Sequence, residues 1–242
     1  MDPRKQREIE HDRKILHDAE KVWGRSGMVG RKRVERRADL IVKSCTIRRN
    51  KTILEIGAGT GTLTRHLAVT GAKIVATDLF EDFLMISKRK INQANVEFVV
   101  ADAEKLDNFT DNSFDVICGL SILHHLNIEL ALQNIYRVLK PGGAIAFSEP
   151  NMLNPQIMIQ KNIPFIKRWL GDSPDETAFF RWQMEELLHK SGFSEIIVTP
   201  FDFLHPSTPQ ALAGFIEGSG KFLERIPLLR EIAGSLFIFA KK

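Results

Sequence analysis

The stretch that decides the fold is Ile53-Leu54-Glu55-Ile56-Gly57-Ala58-Gly59-Thr60-Gly61-Thr62-Leu63-Thr64. A short apolar run enters three alternating glycines and then residues able to open a helix. The apolar part reads as a strand stopped by glycine. Glycine lets the chain turn tightly and lets the backbone approach a ligand with no Cβ in the way. The helix start beyond it offers unpaired N–H groups to a polar or anionic partner. One acid, Glu55, stands two positions before the first glycine.

Working outward, short apolar runs at 52–56, 73–77, 96–100, 114–118, 144–148, 195–198 and 235–240 read as strands. Helical stretches fall near 62–69, 80–92, 128–139 and 178–190, the last stopped by Gly192. Runs this short and apolar suit strands buried on both faces of a parallel sheet, and the alternation implies a doubly wound α/β domain. Right-handed crossovers would gather the loops after the strands along one edge, where ligands bind. Upstream, Ile15, Leu16, Ala19, Val22 and Trp23 mark one amphipathic helix over 4–23, broken by Gly24, Gly27 and Gly30. Val34, Ala38, Ile41, Val42 and Cys45 mark a second, ending near 46, so residues 1–46 form an N-terminal helical cap on a domain of 47–242. Segments 150–177 and 201–234 are too long and too apolar for plain connections and are expected to be lids.

Composition narrows the classes. With 242 residues, 43% hydrophobic and 26% charged, the chain is neither collagen-like nor largely disordered. It has no apolar run of the ~18 residues a membrane helix needs. Its start, Met1-Asp2-Pro3-Arg4-Lys5, lacks the pattern of a secretory leader. The two cysteines, Cys45 and Cys118, have no metal-like spacing and suit a reducing, cytoplasmic compartment. Residues 1–50 carry 15 Lys and Arg against 8 Asp and Glu, while the remainder carries 19 against 22. That basic segment admits nucleic acid or an anionic surface as partner, but it lacks aromatic residues spaced for base stacking.

The pattern E-x-G-x-G-x-G resembles motif I of the class I S-adenosylmethionine-dependent methyltransferases, and the resemblance continues in order. Asp78 ends the second strand where that family's acid binds both ribose hydroxyls, and Leu79 follows where an apolar side chain packs on adenine. Ala101-Asp102-Ala103 is similar to the segment that reads the adenine edge. Phe114-Asp115-Val116-Ile117-Cys118-Gly119-Leu120 resembles the fourth strand, whose end lines the methionine pocket, and Leu139-Lys140-Pro141-Gly142-Gly143 the turn before the fifth. The likeness covers residues 52–148 and looks closest to the ubiquinone/menaquinone-type branch. It implies a Rossmann-like seven-stranded sheet with the last strand antiparallel. It also implies S-adenosyl-L-methionine as cofactor, held by Glu55, Gly57, Gly59, Thr60, Gly61, Asp78, Leu79, Asp102, Ala103 and Leu120.

A carboxylate facing two cis hydroxyls accepts two hydrogen bonds in one plane, and a sulfonium needs no phosphate-binding lysine. None follows Gly61. Methyl transfer is an in-line displacement in which alignment alone can lower the barrier by about 7–11 kcal/mol. Candidate catalytic groups are His124, as a base, and Glu149 at the end of the fifth strand. The adjacent His124 and His125 are expected to point apart, so no metal is implied. Trp23 and Arg25 are candidates to reach the acceptor, Arg181 is a weaker candidate for an anionic group, and Tyr136 is expected to pack. The apolar lids point to a small-molecule or lipid-like acceptor, with peripheral membrane contact or a homodimer as further uses. Three rivals stand beside this reading. A non-catalytic cofactor-binding regulatory or assembly protein shares the same motifs, and an RNA methyltransferase would use the basic segment. An NAD-dependent oxidoreductase is disfavoured because Thr62 stands where its fingerprint wants Gly or Ala.

Overall fold

In β1 (Thr52–Ile56) the four residues Ile53 to Ile56 are all buried, as a strand covered on both faces requires. The structure is a computed structural model and describes residues 2–242; Met1, part of the leader reading above, lies outside them. Three helices, α1 (Pro3–Ile15), α2 (Ala19–Val22) and α3 (Gly27–Ser44), precede β1. After it come α4 (Thr62–Ala68), β2 (Lys73–Asp78), α5 (Glu81–Lys90), β3 (Val96–Val100), β4 (Phe114–Leu120), α6 (Ile128–Val138) and β5 (Leu139–Pro150). The remainder is α7 (Pro155–Asn162), α8 (Pro164–Trp169), α9 (Arg181–Lys190), β6 (Ser194–Phe201), α10 (Ala213–Leu223), α11 (Pro227–Arg230) and β7 (Ser235–Lys241).

The seven strands form one sheet in the order β3-β2-β1-β4-β5-β7-β6. β1 to β5 pair in parallel, with Leu54 between Val75 and Ile117, while β7 runs antiparallel to both β5 and β6. The expected doubly wound sheet with an antiparallel last strand is therefore present. Alternate residues feed two cores. Ile53, Ile74 and Val116 meet α3, α4 and α5 through Ile41, Leu67 and Leu84. Leu54, Val75 and Ile117 meet α6 and α9 through Ile135 and Leu188. Strand order reverses between β1 and β4, so a crevice opens beyond their carboxyl ends, where ligands bind in open α/β sheets.

The cap and the lids depart from the sequence reading. The helix expected over 4–23 is split at Leu16–Asp18 into α1 and α2, and Ile9, Ile15, Ala19 and Trp23 all pack in one cluster with Phe80 and with Phe83 of α5. Gly27 and Gly30 do not break a helix but open α3; a Cβ on Gly30 would lie 2.5 Å from the Arg25 carbonyl carbon. The fifth strand is longer than 144–148, because Lys140-Pro141-Gly142-Gly143 forms a bulge within it, between the pairs Phe114↔Leu139 and Val116↔Ala144. The segments 150–177 and 201–234 hold α7 and α8, and α10 and α11. Among the described residues no helix is long and apolar enough to cross a membrane.

Candidate functional site

The turn after β1 is held by contacts that only glycine permits. Gly57 has φ +66°, and a Cβ there would stand 2.6 Å from Ile122. Gly61, at φ +82°, caps α4 and packs so tightly on Ser87 of α5 that a Cβ would collide with its hydroxyl. The Gly59 amide donates to Asp78 Oδ2 at 2.8 Å, and the Phe80 amide to Asp78 Oδ1 at 3.0 Å. Asp78 thus ties the ends of β1 and β2 together, and burial pushes its carboxyl above the usual range. Trp23 lies over Gly59 and meets Phe83 edge-on, with ring centroids 5.0 Å apart.

A cavity of about 730 Å³ opens at this turn and is lined also by residues of α1 and of segments 150–177 and 201–234. At one end stand Gly57, Gly59, Asp78, Leu79, Asp102 and Ala103. There α1 is latched down by ion pairs. Lys5 Nζ lies 2.5 Å from Asp102 Oδ2 and 2.7 Å from Glu104 Oε2, Arg4 also pairs with Glu104, and Arg7 with Asp175. Asp12 of α1 faces the same space; burial raises its carboxyl to about 8, with Asp78, Glu8 and Glu176 adding to the effect. Arg25 sits in the middle of the cavity wall. It donates to the Leu120 carbonyl (2.8 Å) and to Thr62 Oγ1 (3.4 Å), and burial lowers its guanidinium to about 10. At the far end α3 contributes Arg33 and Arg37, opposite Asp202, Leu204 and Ser235.

His124 and Glu149, the two candidate catalytic groups, are hydrogen-bonded to each other. Glu149 is buried and accepts from the amides of Ile122 and Leu123, both at 3.0 Å, and lies 2.6 Å from His124 Nδ1. His124 Nε2 lies 3.2 Å from Glu176 in segment 150–177, and Lys161 also pairs with Glu176. Against burial, which disfavours a charged ring, the two carboxylates raise His124 to about 9. That shift favours the protonated ring, in which both nitrogens donate to carboxylates. The expectation that the two histidines diverge is corrected as well. They sit on a 3-10 turn with ring centroids 4.2 Å apart, and donor atoms of His124, His125 and Glu176 lie within 4.8 Å of one another. The group is drawn together by Glu149, Glu8, Glu176 and Lys161 as a network of ion pairs.

Of the expected residues, Gly57, Gly59, Asp78, Leu79, Asp102, Ala103, Leu120 and His124 line the cavity, as do Trp23 and Arg25. Glu55, Thr60, Gly61 and Glu149 stand behind its wall. Thr60 donates to Glu20 (3.0 Å), and Glu55 Oε2 is buried with no hydrogen-bond partner, its carboxyl pushed up by burial to about 7. Arg181 pairs with Glu185 and Glu231, and Tyr136 packs edge-on with Phe193. Sequence reasoning missed Asp12, Arg33, Arg37, Glu176 and Asp202. Only Arg37 left a signal, since it falls on the apolar stripe of α3 between Val34 and Ile41.

Comparison with known proteins agrees with this architecture. Residues 54–147 match the methyltransferase domain family. The ubiquinone/menaquinone biosynthesis C-methyltransferase of Escherichia fergusonii is 40% identical over 116 residues, which is 43% of this chain and 45% of that one. The chain thus spans under half the length of that curated relative. A methyltransferase-like protein of Schizosaccharomyces pombe is 28% identical over 190 residues, 78% of this chain and 72% of that one. Among solved structures, an S-adenosylmethionine-dependent methyltransferase from Thermotoga maritima superposes with TM-score 0.67 at 20% identity, over 96% of this chain and 99% of the other. Phosphoethanolamine N-methyltransferase 2 of Haemonchus contortus, solved with S-adenosyl-L-methionine, gives 0.61 at 20% identity over 86% of this chain and 52% of that one.

Proposed function

We propose that this chain, which carries a class I S-adenosylmethionine-dependent methyltransferase domain, transfers a methyl group from S-adenosyl-L-methionine to a small-molecule or lipid-like acceptor. The observation that carries the reading is one continuous cavity joining the glycine turn and Asp78 to a chamber beyond β4. The cofactor would supply an activated methyl carbon. The residues present fit it. The glycine turn leaves backbone open to a ligand, and Asp78 keeps lone pairs beyond its two amide bonds. Glu55 offers a buried oxygen without a partner, suited to an ammonium. Asp102 and Ala103 would face the adenine, with Leu79 against its ring and Leu120 beside the methionine end.

In this reading residues 1–46 are a cap over the cofactor edge, and 150–177 and 201–234 are lids on the domain of 47–242. His124 and Glu149 position the wall after β4 rather than exchange protons, and alignment carries the reaction. The lids support a hydrophobic acceptor or a peripheral membrane contact. They hold 12 of the 19 exposed large apolar residues, Phe165 and Trp169 among them. The basic latch residues Arg4, Lys5 and Arg7 are spent on carboxylates of the same chain, which weakens the case for RNA.

Titration calorimetry with S-adenosylhomocysteine and with NADH tests the cofactor, and tight binding of NADH alone overturns the reading. Release of S-adenosylhomocysteine across lipid, quinone, amine and carboxylate acceptors tests turnover. Silence across that panel favours a cofactor-binding regulator instead.

A further inference from the structure

Of the cations that line the cavity, Arg4 and Lys5 at one end face two carboxylates, Asp102 and Glu104, whereas Arg33 and Arg37 at the α3 end share Asp202. Arg37 is buried, donating from Nε to Ser148 Oγ (3.1 Å) and from Nη2 to Asp202 Oδ2 (2.7 Å) and Ser235 Oγ (2.8 Å). Arg33 donates to the same carboxylate oxygen at 3.2 Å. One carboxylate therefore serves two guanidiniums, whereas the neighbouring Arg36 pairs with a separate carboxylate, Glu224, at 2.6 Å. His205 on the same wall is lowered by burial and by Arg33, and an imidazole supplies no negative counterpart. Burial first, and then the neighbouring Arg33, bring Arg37 down to about 9, while Asp202 acts in the opposite direction. The opposite end of the cavity is acidic, with Glu8, Asp12, Asp78 and Glu176.

We propose that the α3 end is an anion subsite, in which Arg33 and Arg37 hold the carboxylate or phosphate head of the acceptor. An excess charge taken out of water is costly unless a counter-charge meets it, and a guanidinium fork matches the paired oxygens of either head group. Val34, Leu204 and Pro206 flank the arginines and would take the apolar part of the same molecule. The acceptor is thus an anionic amphiphile with its head at α3 and its body toward Arg25 and the lids. This deepens the methyl-transfer reading and rests on it only for the word acceptor.

The test is calorimetry on protein saturated with S-adenosylhomocysteine, using decanoate, decyl phosphate, decanol and decyltrimethylammonium below their micelle concentrations. At least one anion binds about tenfold or more tighter than decanol, and the cation binds worst. Decanoate against decyl phosphate tells which head is preferred. Arg33→Met abolishes the preference while S-adenosylhomocysteine affinity and melting temperature hold, and Arg33→Lys restores part of it. Should Arg33→Met melt lower, Arg33→Gln repeats the test with a polar side chain in place. Equal binding of decanol, preference for the cation, or unchanged anion binding in folded Arg33 variants overturns the subsite. Failure of S-adenosylhomocysteine to bind overturns the methyl-transfer reading instead, and the anion preference is then read on the protein alone.

Discussion

The two ends of the cavity are built in different ways. The end at β1 and β2 is made of backbone. Gly57, Gly59 and Gly61 turn the chain, and Asp78 fastens that turn by two amide hydrogen bonds, all within 24 residues of sequence. The end at α3 is made of side chains gathered from afar, since Arg37 meets Ser148, Asp202 and Ser235, which lie 111, 165 and 198 positions away. A backbone site tolerates few residue types at each position and fixes its ligand closely. A side-chain site can be re-specified by changing two or three residues. The first suits a cofactor that stays the same, and the second an acceptor that differs between relatives.

The largest effect expected from breaking this contrast is at the backbone end. Asp78→Ala removes a charged acceptor and frees two amides, so S-adenosylhomocysteine affinity falls by about 3 kcal/mol or a hundredfold and more. Calorimetry reads this, and a loss under tenfold would mean that Asp78 braces the turn without touching ligand. Next is the pH dependence of the wall between the two ends. His124 is raised to about 9 from 6.5, so its contribution is fully present below pH 6.5 and is lost as pH rises through 9. That is about 2–3 kcal/mol of stability lost over the window. Denaturant melts at pH 6 and 9.5 measure it, and Glu149→Gln should lower the pH 6 value and flatten the difference.

Third is Gly61→Ala, which puts a Cβ at φ +82° and against Ser87. It should cost about 1–3 kcal/mol in a denaturant melt. The smallest effect belongs to the lids. Trp169 is 75% exposed, so Trp169→Ala should change stability by less than about 0.5 kcal/mol. A larger loss would show that the lid packs more tightly in solution than its exposure implies.

The same contrast explains what could be read from the sequence. Strands buried on both faces appear as apolar runs, and a backbone site appears as glycines beside an acid, so the sheet and the residues from Gly57 to Ala103 were legible. The split at Leu16–Asp18 was not, because the apolar stripe continues through it. Asp202 left no local mark, since its partners Arg33 and Arg37 are 169 and 165 residues away. His124 and Glu149 were legible as neighbours of the site. The ion-pair network around them was not, because Glu176, which adds the second carboxylate, lies 52 residues further on.

The most direct measurement is a crystal structure of the protein with S-adenosylhomocysteine. The account predicts the ribose on Asp78, the adenine beside Leu79 and Asp102, and the sulfur facing the chamber that leads to Arg33 and Arg37. Density for the ligand away from the glycine turn, or with its sulfur turned from that chamber, would contradict it.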